Sequence, residues 1–322
     1  MKNLGIGMMR LPVKSGPTDF DYDQLNAMVD AFLDAGYTYF DTSFVYHNGE
    51  SESATRKALV ERHPRDRFTV ATKFPTFNLV PEEEIEAVFQ SQLEKLGVDY
   101  IDYYLLHNIQ NVYYDGYDGK GGVVKTTHLF DHAKQWKAEG KIRHLGISFH
   151  SSAKLLDRVL SEHPEIEFVQ IALNPIDWDS ELVQAGPCYD VIRKHGRKVV
   201  IMEAVKGGGL ARLPDEAEAL LRAAHPDWSI ASARICSSVS VSACASAAVL
   251  VLSSTCSSVL IPERTAITSS FSRLKRSAQE AMLQSGCAAR SSASASSGSL
   301  ARPPPLTASM MTTLRPCRRI TS

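Results

Sequence analysis

Six short runs rich in Val, Ile, Tyr and Phe alternate with stretches of helical periodicity along the first two-thirds of the chain, and this alternation limits the fold more than any other feature. The runs are YTYFDT (37–42), RFTVATK (67–73), YIDYYLLH (100–107), IRHLGIS (142–148), FVQIAL (168–173) and KVVIMEA (198–204). Each has strand length and is bounded by turn or polar residues. Between the runs, YDQLNAMVDAFLDAG sets Leu25, Met28, Val29, Phe32 and Leu33 on one helical face and closes at Gly36, a residue suited to a helix C-terminus. PEEEIEAVFQSQLEKLG opens with Pro81 and three glutamates, where the helix dipole favours them. It carries Ile85, Val88, Phe89, Leu93 and Leu96 at helical spacing and ends at Gly97. DHAKQWKAEGK, SAKLLDRVLSEHP, CYDVIRKHG and DEAEALLRAAH continue the pattern. Six strand-then-helix units predict an α/β fold with a parallel sheet covered by helices. An open doubly wound sheet and a closed (β/α)8 TIM barrel both satisfy this, and the lack of G-x-G-x-x-G after the first run favours the barrel.

In a barrel the C-terminal ends of all strands meet at one face, where the chemistry sits. The first three runs end at or near Asp41, Lys73 and His107. The fourth ends at Ser148 with His150 beyond it, and the fifth carries Gln170 with Asn174 past its end. Packing alone does not explain ionisable groups at three successive strand ends. Together with Tyr46 they make a coherent acid–base set. A phenol ionises near ~10 and is a poor acid–base group at neutral pH. A nearby lysine cation favours the phenolate, a buried lysine needs a carboxylate, and a histidine can orient a carbonyl oxygen. The residues therefore predict Tyr46 as proton donor, Lys73 as its tuner, Asp41 as the partner of Lys73, and His107 as the substrate-orienting group.

GYTYFDTSFVYHNGESE, VATKFPT, VDYIDYYLLH, GKIRHLGISFH and FVQIALNP together resemble the aldo-keto reductase family, over about residues 5–232. The resemblance implies a (β/α)8 barrel that reduces aldehydes and ketones with NADPH, NADH being the alternative, without a metal. It implies an Asp–Tyr–Lys–His tetrad, which falls on Asp41, Tyr46, Lys73 and His107. It also implies a nicotinamide carboxamide held by Ser148 and Gln170, with Phe149 standing where the family has an Asn. At the point where many members stack an aromatic ring on the nicotinamide, this chain has Glu203, as in a bacterial branch reading MEPxxGG. Lys206, Gly207 and Gly208 follow, and their backbone N–H groups and charge suit the cofactor phosphates.

The chain changes character after Ser232. Residues 1–232 carry 25 Lys+Arg against 34 Asp+Glu, whereas residues 233–322 carry 10 against 2. That second part holds 22 Ser and 14 Ala and lacks Asp, Asn, His, Trp and Tyr. HPDWSIAS (225–232) resembles the start of the family's seventh unit, and no family motif follows it. The expectation is a barrel incomplete or irregular after residue 232, followed by an anomalous tail. Such a composition is what a GC-rich gene yields when read in a shifted frame, and RSSASASSGSLARPPP also has the composition of a disordered segment. Residues 235–262 carry no charge, yet their serine density favours a β-prone segment over a membrane span.

A net charge near −1 over 322 residues points to neither nucleic acid nor a membrane surface. The N-terminus, broken early by Arg10 and Pro12, does not read as a secretory leader, so the cytoplasm is the expected compartment. The six cysteines show no C-x-x-C spacing, so neither zinc nor an iron–sulfur cluster is expected. The leading reading is a carbonyl reductase acting on a small substrate, of undetermined oligomeric state. The competing ones are a non-catalytic barrel serving as a binding or regulatory subunit, and an inactive truncated or frameshifted reductase.

Overall fold

Eight parallel strands pair in chain order into a closed barrel in the computed structural model, which describes residues 4–174, 177–204, 206, 215, 219 and 248–251. They are β1 (Leu4–Gly7), β2 (Tyr39–Asp41), β3 (Thr69–Phe74), β4 (Ile101–Ile109), β5 (Ile142–Phe149), β6 (Phe168–Ala172), β7 (Lys198–Met202) and β8 (Ala248–Val251). The six runs read from the sequence are β2 to β7. The two edges they leave are covered by β1, which pairs with β2, and by β8, which pairs with both β7 and β1. β1 is four residues, two of them glycine, too short to stand out by periodicity. β8 lies inside the charge-free run 235–262, so the barrel closes on the segment whose composition departs from the rest. The chain divides into residues 1–278 and 279–322, and all described residues belong to the first unit. The boundary read at Ser232 falls between β7 and β8.

The described helices are α1 (Tyr22–Asp34), α2 (Ser51–Thr55), α3 (Glu82–Leu96), α4 (Asn111–Tyr114), α5 (Val123–Thr126), α6 (Leu129–Ala138), α7 (Ala153–Glu162) and α8 (Ala185–Lys194). Helix α1 buries Leu25, Val29, Phe32 and Leu33, while Met28, placed on the same face by periodicity, sits at its margin and is 38% exposed. Helix α3 starts after Pro81 and ends at Gly97, whose left-handed φ of 67° lets the chain leave the last turn. Its buried face carries Gln92 among Ile85, Phe89, Leu93 and Leu96. Phe89 stacks on Trp136 of α6 at 3.9 Å, and Tyr104 of β4 meets both rings edge-on. This aromatic layer joins helices to barrel. The helical pattern DEAEALLRAAH falls almost wholly outside the described residues.

Inside the barrel, Tyr39, Ala71, Leu105, Phe168 and Val200 form a separate apolar cluster. Gly146 permits it, because a Cβ there would stand 2.5 Å from the Phe168 ring. Because all the strands run parallel, their C-terminal ends share one rim. Among the described residues no helix is long and apolar enough to cross a membrane.

Candidate active site

Lys73 is the hub of the rim. It is 0% exposed, with Asp41 at 5% and His107 at 8%. Its Nζ donates to Asp41 Oδ1 at 2.6 Å, to the Thr42 carbonyl at 2.7 Å and to Tyr46 Oη at 3.3 Å. An unpaired ammonium would not survive such burial. All three of its protons are used, two of them on the strongest acceptors within reach. Burial by itself weakens the hold of an amine on its proton, but the Asp41 carboxylate and then the Tyr46 oxygen overcome this, and Lys73 is held above the ordinary lysine value. Asp41 has a second partner from across the barrel, Gln170 Nε2 at 3.2 Å.

Tyr46 opens a tight turn, Tyr46–Gly49, in which His47 and Asn48 take left-handed φ of 51° and 56°. His47 fixes this turn: its Nε2 accepts from the Leu11 N–H at 3.0 Å and its Nδ1 donates to the Pro17 carbonyl at 2.7 Å. The phenol is pushed above its ordinary value by burial, Lys73 pulling it down and Asp41 pushing it up. Lys73 acts in the direction expected of it, but in this packing desolvation outweighs the neighbouring cation and the net shift is upward. Tyr46 therefore keeps its proton at neutral pH, as a proton donor must.

His107 meets the Tyr46 ring edge-on, centroids 6.1 Å apart, and lies 5.3 Å from the Phe77 ring. Burial, reinforced by the Lys73 charge, drives its imidazole down to about 2, so it is neutral over the working pH range. Ser43 Oγ sits 3.0 Å from His107 Nδ1. When the hydroxyl donates to Nδ1, Nε2 carries the ring proton and can donate to a carbonyl oxygen.

Ser148 and Gln170 are register partners on β5 and β6, and both are buried. Gln170 Oε1 has no hydrogen-bond partner among the described residues, a costly state for a buried amide oxygen. Beyond them lies a cleft of about 220 Å³ lined by Phe149, His150, Asp177, Cys188, Glu203 and Lys206, among others. Lys206, 44% exposed at its side chain, is paired with Asp177 at 2.6 Å. Glu203 and Lys206 both hold positive φ, 56° and 48°, a strained backbone for such residues. Gly207 and Gly208 lie outside the described residues.

The profile of the Aldo/keto reductase family matches residues 3–270. The chain belongs to the aldo/keto reductase family. The match extends past Ser232, where recognisable motifs end, and takes in β8. An aldo-keto reductase of Mycolicibacterium vanbaalenii is 33% identical over 160 residues, 48% of this chain and 49% of the relative. An NADP(+) aldo-keto reductase of Schizosaccharomyces pombe is 26% identical over 193 residues, 57% and 52% of the two chains. The chain thus spans about half the length of the curated relatives it matches. Among solved structures, a Bombyx mori aldo-keto reductase in complex with NADP superposes with a TM-score of 0.60 at 18% identity, covering 85% of this chain and 89% of that one. A Bacillus halodurans aldo-keto reductase in its holo form gives 0.56 at 23%, covering 83% and 91%. At these identities the likeness is one of fold.

Several residues of the site's support are not apparent from strand ends. Ser43 escapes because nothing marks it as facing a residue 64 positions away. Glu52, on α2, is fully buried and accepts from Thr72 Oγ1 at 2.6 Å and Gln92 Nε2 at 2.8 Å, while its Oε2 has no partner among the described residues. The signal available was Gln92 itself, a lone amide on the apolar face of α3. Burial raises the Glu52 carboxyl from 4.5 to about 7. The folded protein thus keeps a proton there that the unfolded chain has released. This contribution to stability is complete below the unfolded value and is lost as pH rises through about 7, about 3 kcal/mol in all. Glu52→Gln is expected to flatten the decline of melting temperature between roughly pH 5 and 8, measured by calorimetry across that range.

Proposed function

We propose that this chain reduces an aldehyde or ketone to an alcohol, with NADPH as hydride source and NADH as the alternative. The observation that carries the reading is the sealed Lys73, donating at once to Asp41 and to Tyr46. The nicotinamide, when bound, supplies the hydride. Tyr46 supplies the proton to the carbonyl oxygen: because Lys73 donates into the phenol oxygen, the O–H of Tyr46 is left to point at substrate. As the proton leaves, the ammonium 3.3 Å away stabilises the phenolate, and Asp41 keeps that ammonium charged. Neutral His107 donates an N–H to the same oxygen and orients it.

Gln170 and Ser148 fit a nicotinamide carboxamide. The buried Gln170 Oε1 lacks a donor, and the amide N–H of a carboxamide would satisfy it. Lys206, Gly207 and Gly208 are assigned to the cofactor phosphates. Lys206 at the mouth of the cleft supports this by position and charge. Phe149, where the family has an Asn, offers no side-chain hydrogen bond, so Gln170 and Ser148 hold the amide without it. Phe77, against His107 and 6.5 Å from Tyr113, makes an aromatic wall that favours a small aromatic or bulky carbonyl. We place the protein in the cytoplasm, and we extend the reductase part past the boundary read at Ser232 to take in β8, which pairs with β7 and β1.

Titration of the purified protein with NADPH, followed by cofactor or tryptophan fluorescence, is expected to saturate, and aldehydes added afterwards to consume the cofactor. Absence of binding would overturn the reading. Binding without oxidation by any aldehyde in a broad panel would favour the non-catalytic barrel.

A further inference from the structure

We propose that Gln92 and Lys95, one turn apart on α3, are positioning residues that clamp the two halves of the Tyr46–Lys73 pair from outside the barrel. The proposal rests on the reductase reading above. Gln92 Nε2 donates to the main-chain carbonyl of Lys73 at 3.2 Å and to Glu52 at 2.8 Å, and Gln92 Oε1 accepts from Tyr104 Oη at 2.5 Å. Lys95 Nζ donates to the carbonyl of Gly49 at 3.2 Å and lies 4.6 Å from the centre of the Phe44 ring. Gly49 ends the turn that Tyr46 begins. Glu52, just beyond that turn, reaches back to Thr72, the residue before Lys73. One helical face therefore grips the lysine strand through Gln92 and the tyrosine turn through Lys95, with Glu52 tying the two together.

The pair needs such a support for two reasons. The Lys73–Tyr46 contact, at 3.3 Å, is at the long end of a hydrogen bond, so a shift of a few tenths of an ångström breaks it. The turn bearing Tyr46 holds two consecutive non-glycine residues in the left-handed region, a conformation that persists only where its surroundings enforce it. Gln92 is fully buried and bonded at both ends of its amide, which is how a polar side chain on an apolar helix face avoids its desolvation cost. Lys95 is half-buried and can be changed without opening the core.

The test compares Lys95→Met, Gln92→Met and Lys95→Arg by steady-state kinetics with a reactive aldehyde. It also follows the Cζ resonance of Tyr46 in protein carrying isotope-labelled tyrosine, assigned by its loss in Tyr46→Phe. The Met variants are expected to lose about 10- to 100-fold in kcat with KM changed less than about twofold, as for a misplaced catalytic group. The Tyr46 resonance should move in both, and Lys95→Arg should restore rate and resonance together. If Gln92→Met does not fold, Lys95→Met decides. Unchanged kcat and an unmoved resonance in folded Lys95→Met would overturn the proposal, as would a rate loss with the resonance in place. If the parent protein turns over no carbonyl but the resonance moves as expected, the reductase reading fails and the clamp stands.

Discussion

Tyr46→Phe is expected to lose carbonyl reduction by about 10²- to 10⁴-fold while NADPH binding is retained. The substitution removes one oxygen and leaves the ring packed against Phe77's neighbour His107, so little else changes. Neither of its described neighbours in the tetrad that carries a proton, Lys73 or His107, can replace the lost donor. Lys73 is spent on Asp41 and Thr42 and sits 0% exposed, and His107, neutral down to about 2, has no second proton to give at working pH. Single-turnover kinetics with a saturating aldehyde, set beside NADPH fluorescence titration, measures both halves of the expectation. Turnover within a few-fold of the parent would remove Tyr46 from the mechanism.

Lys73→Met is expected to be the most damaging single change, because it removes the tuner of Tyr46 and strands a buried carboxylate. Asp41, 5% exposed, would keep only Gln170 Nε2 among its described side-chain donors. Breaking a buried ion pair from one side costs about 3–5 kcal/mol, which lowers the melting temperature by roughly 10 °C in a chain of this size. The pair Lys73→Met with Asp41→Asn should recover most of that stability, since no unpaired charge remains, yet recover none of the rate. Melting curves and aldehyde kinetics on the three proteins separate the two effects. Equal stability of the single and double variants would show that Asp41 is not a buried charge.

How far the site was legible depended on distance along the chain and on what had to be counted. Asp41, Lys73 and His107 were visible because each closes a run of β-rich residues and parallel strands bring such ends to one rim. Tyr46 was visible by its short reach from Asp41. Ser148 and Gln170 came from motif resemblance, and nothing in their neighbourhood announced that Gln170 would touch Asp41, 129 residues away. β1 and β8 escape because four residues carry too little periodicity, and β8 lies beyond Ser232, in a charge-free, β-prone run where no family motif marks a strand. The net direction of the Tyr46 shift is not legible for a related reason: the sequence shows that Lys73 is near, whereas burial is a property of everything packed around the ring.

Through family resemblance the sequence pointed to a closed (β/α)8 barrel; by itself it determined the α/β class, the order of six of the eight strands and the strand ends that carry Asp41, Lys73 and His107 to one rim. The class, the order and the strand ends follow from periodicity and from the handedness and parallelism of strand–helix units, which are local rules. Only the tertiary structure decided how the rim works. Closure through β8, the complete burial of Lys73, the neutral state of His107 and the grip of α3 on both Lys73 and the Tyr46 turn all arise between segments far apart in the chain. Desolvation and hydrogen-bond geometry are set by those distant contacts, and no pattern within one segment encodes them.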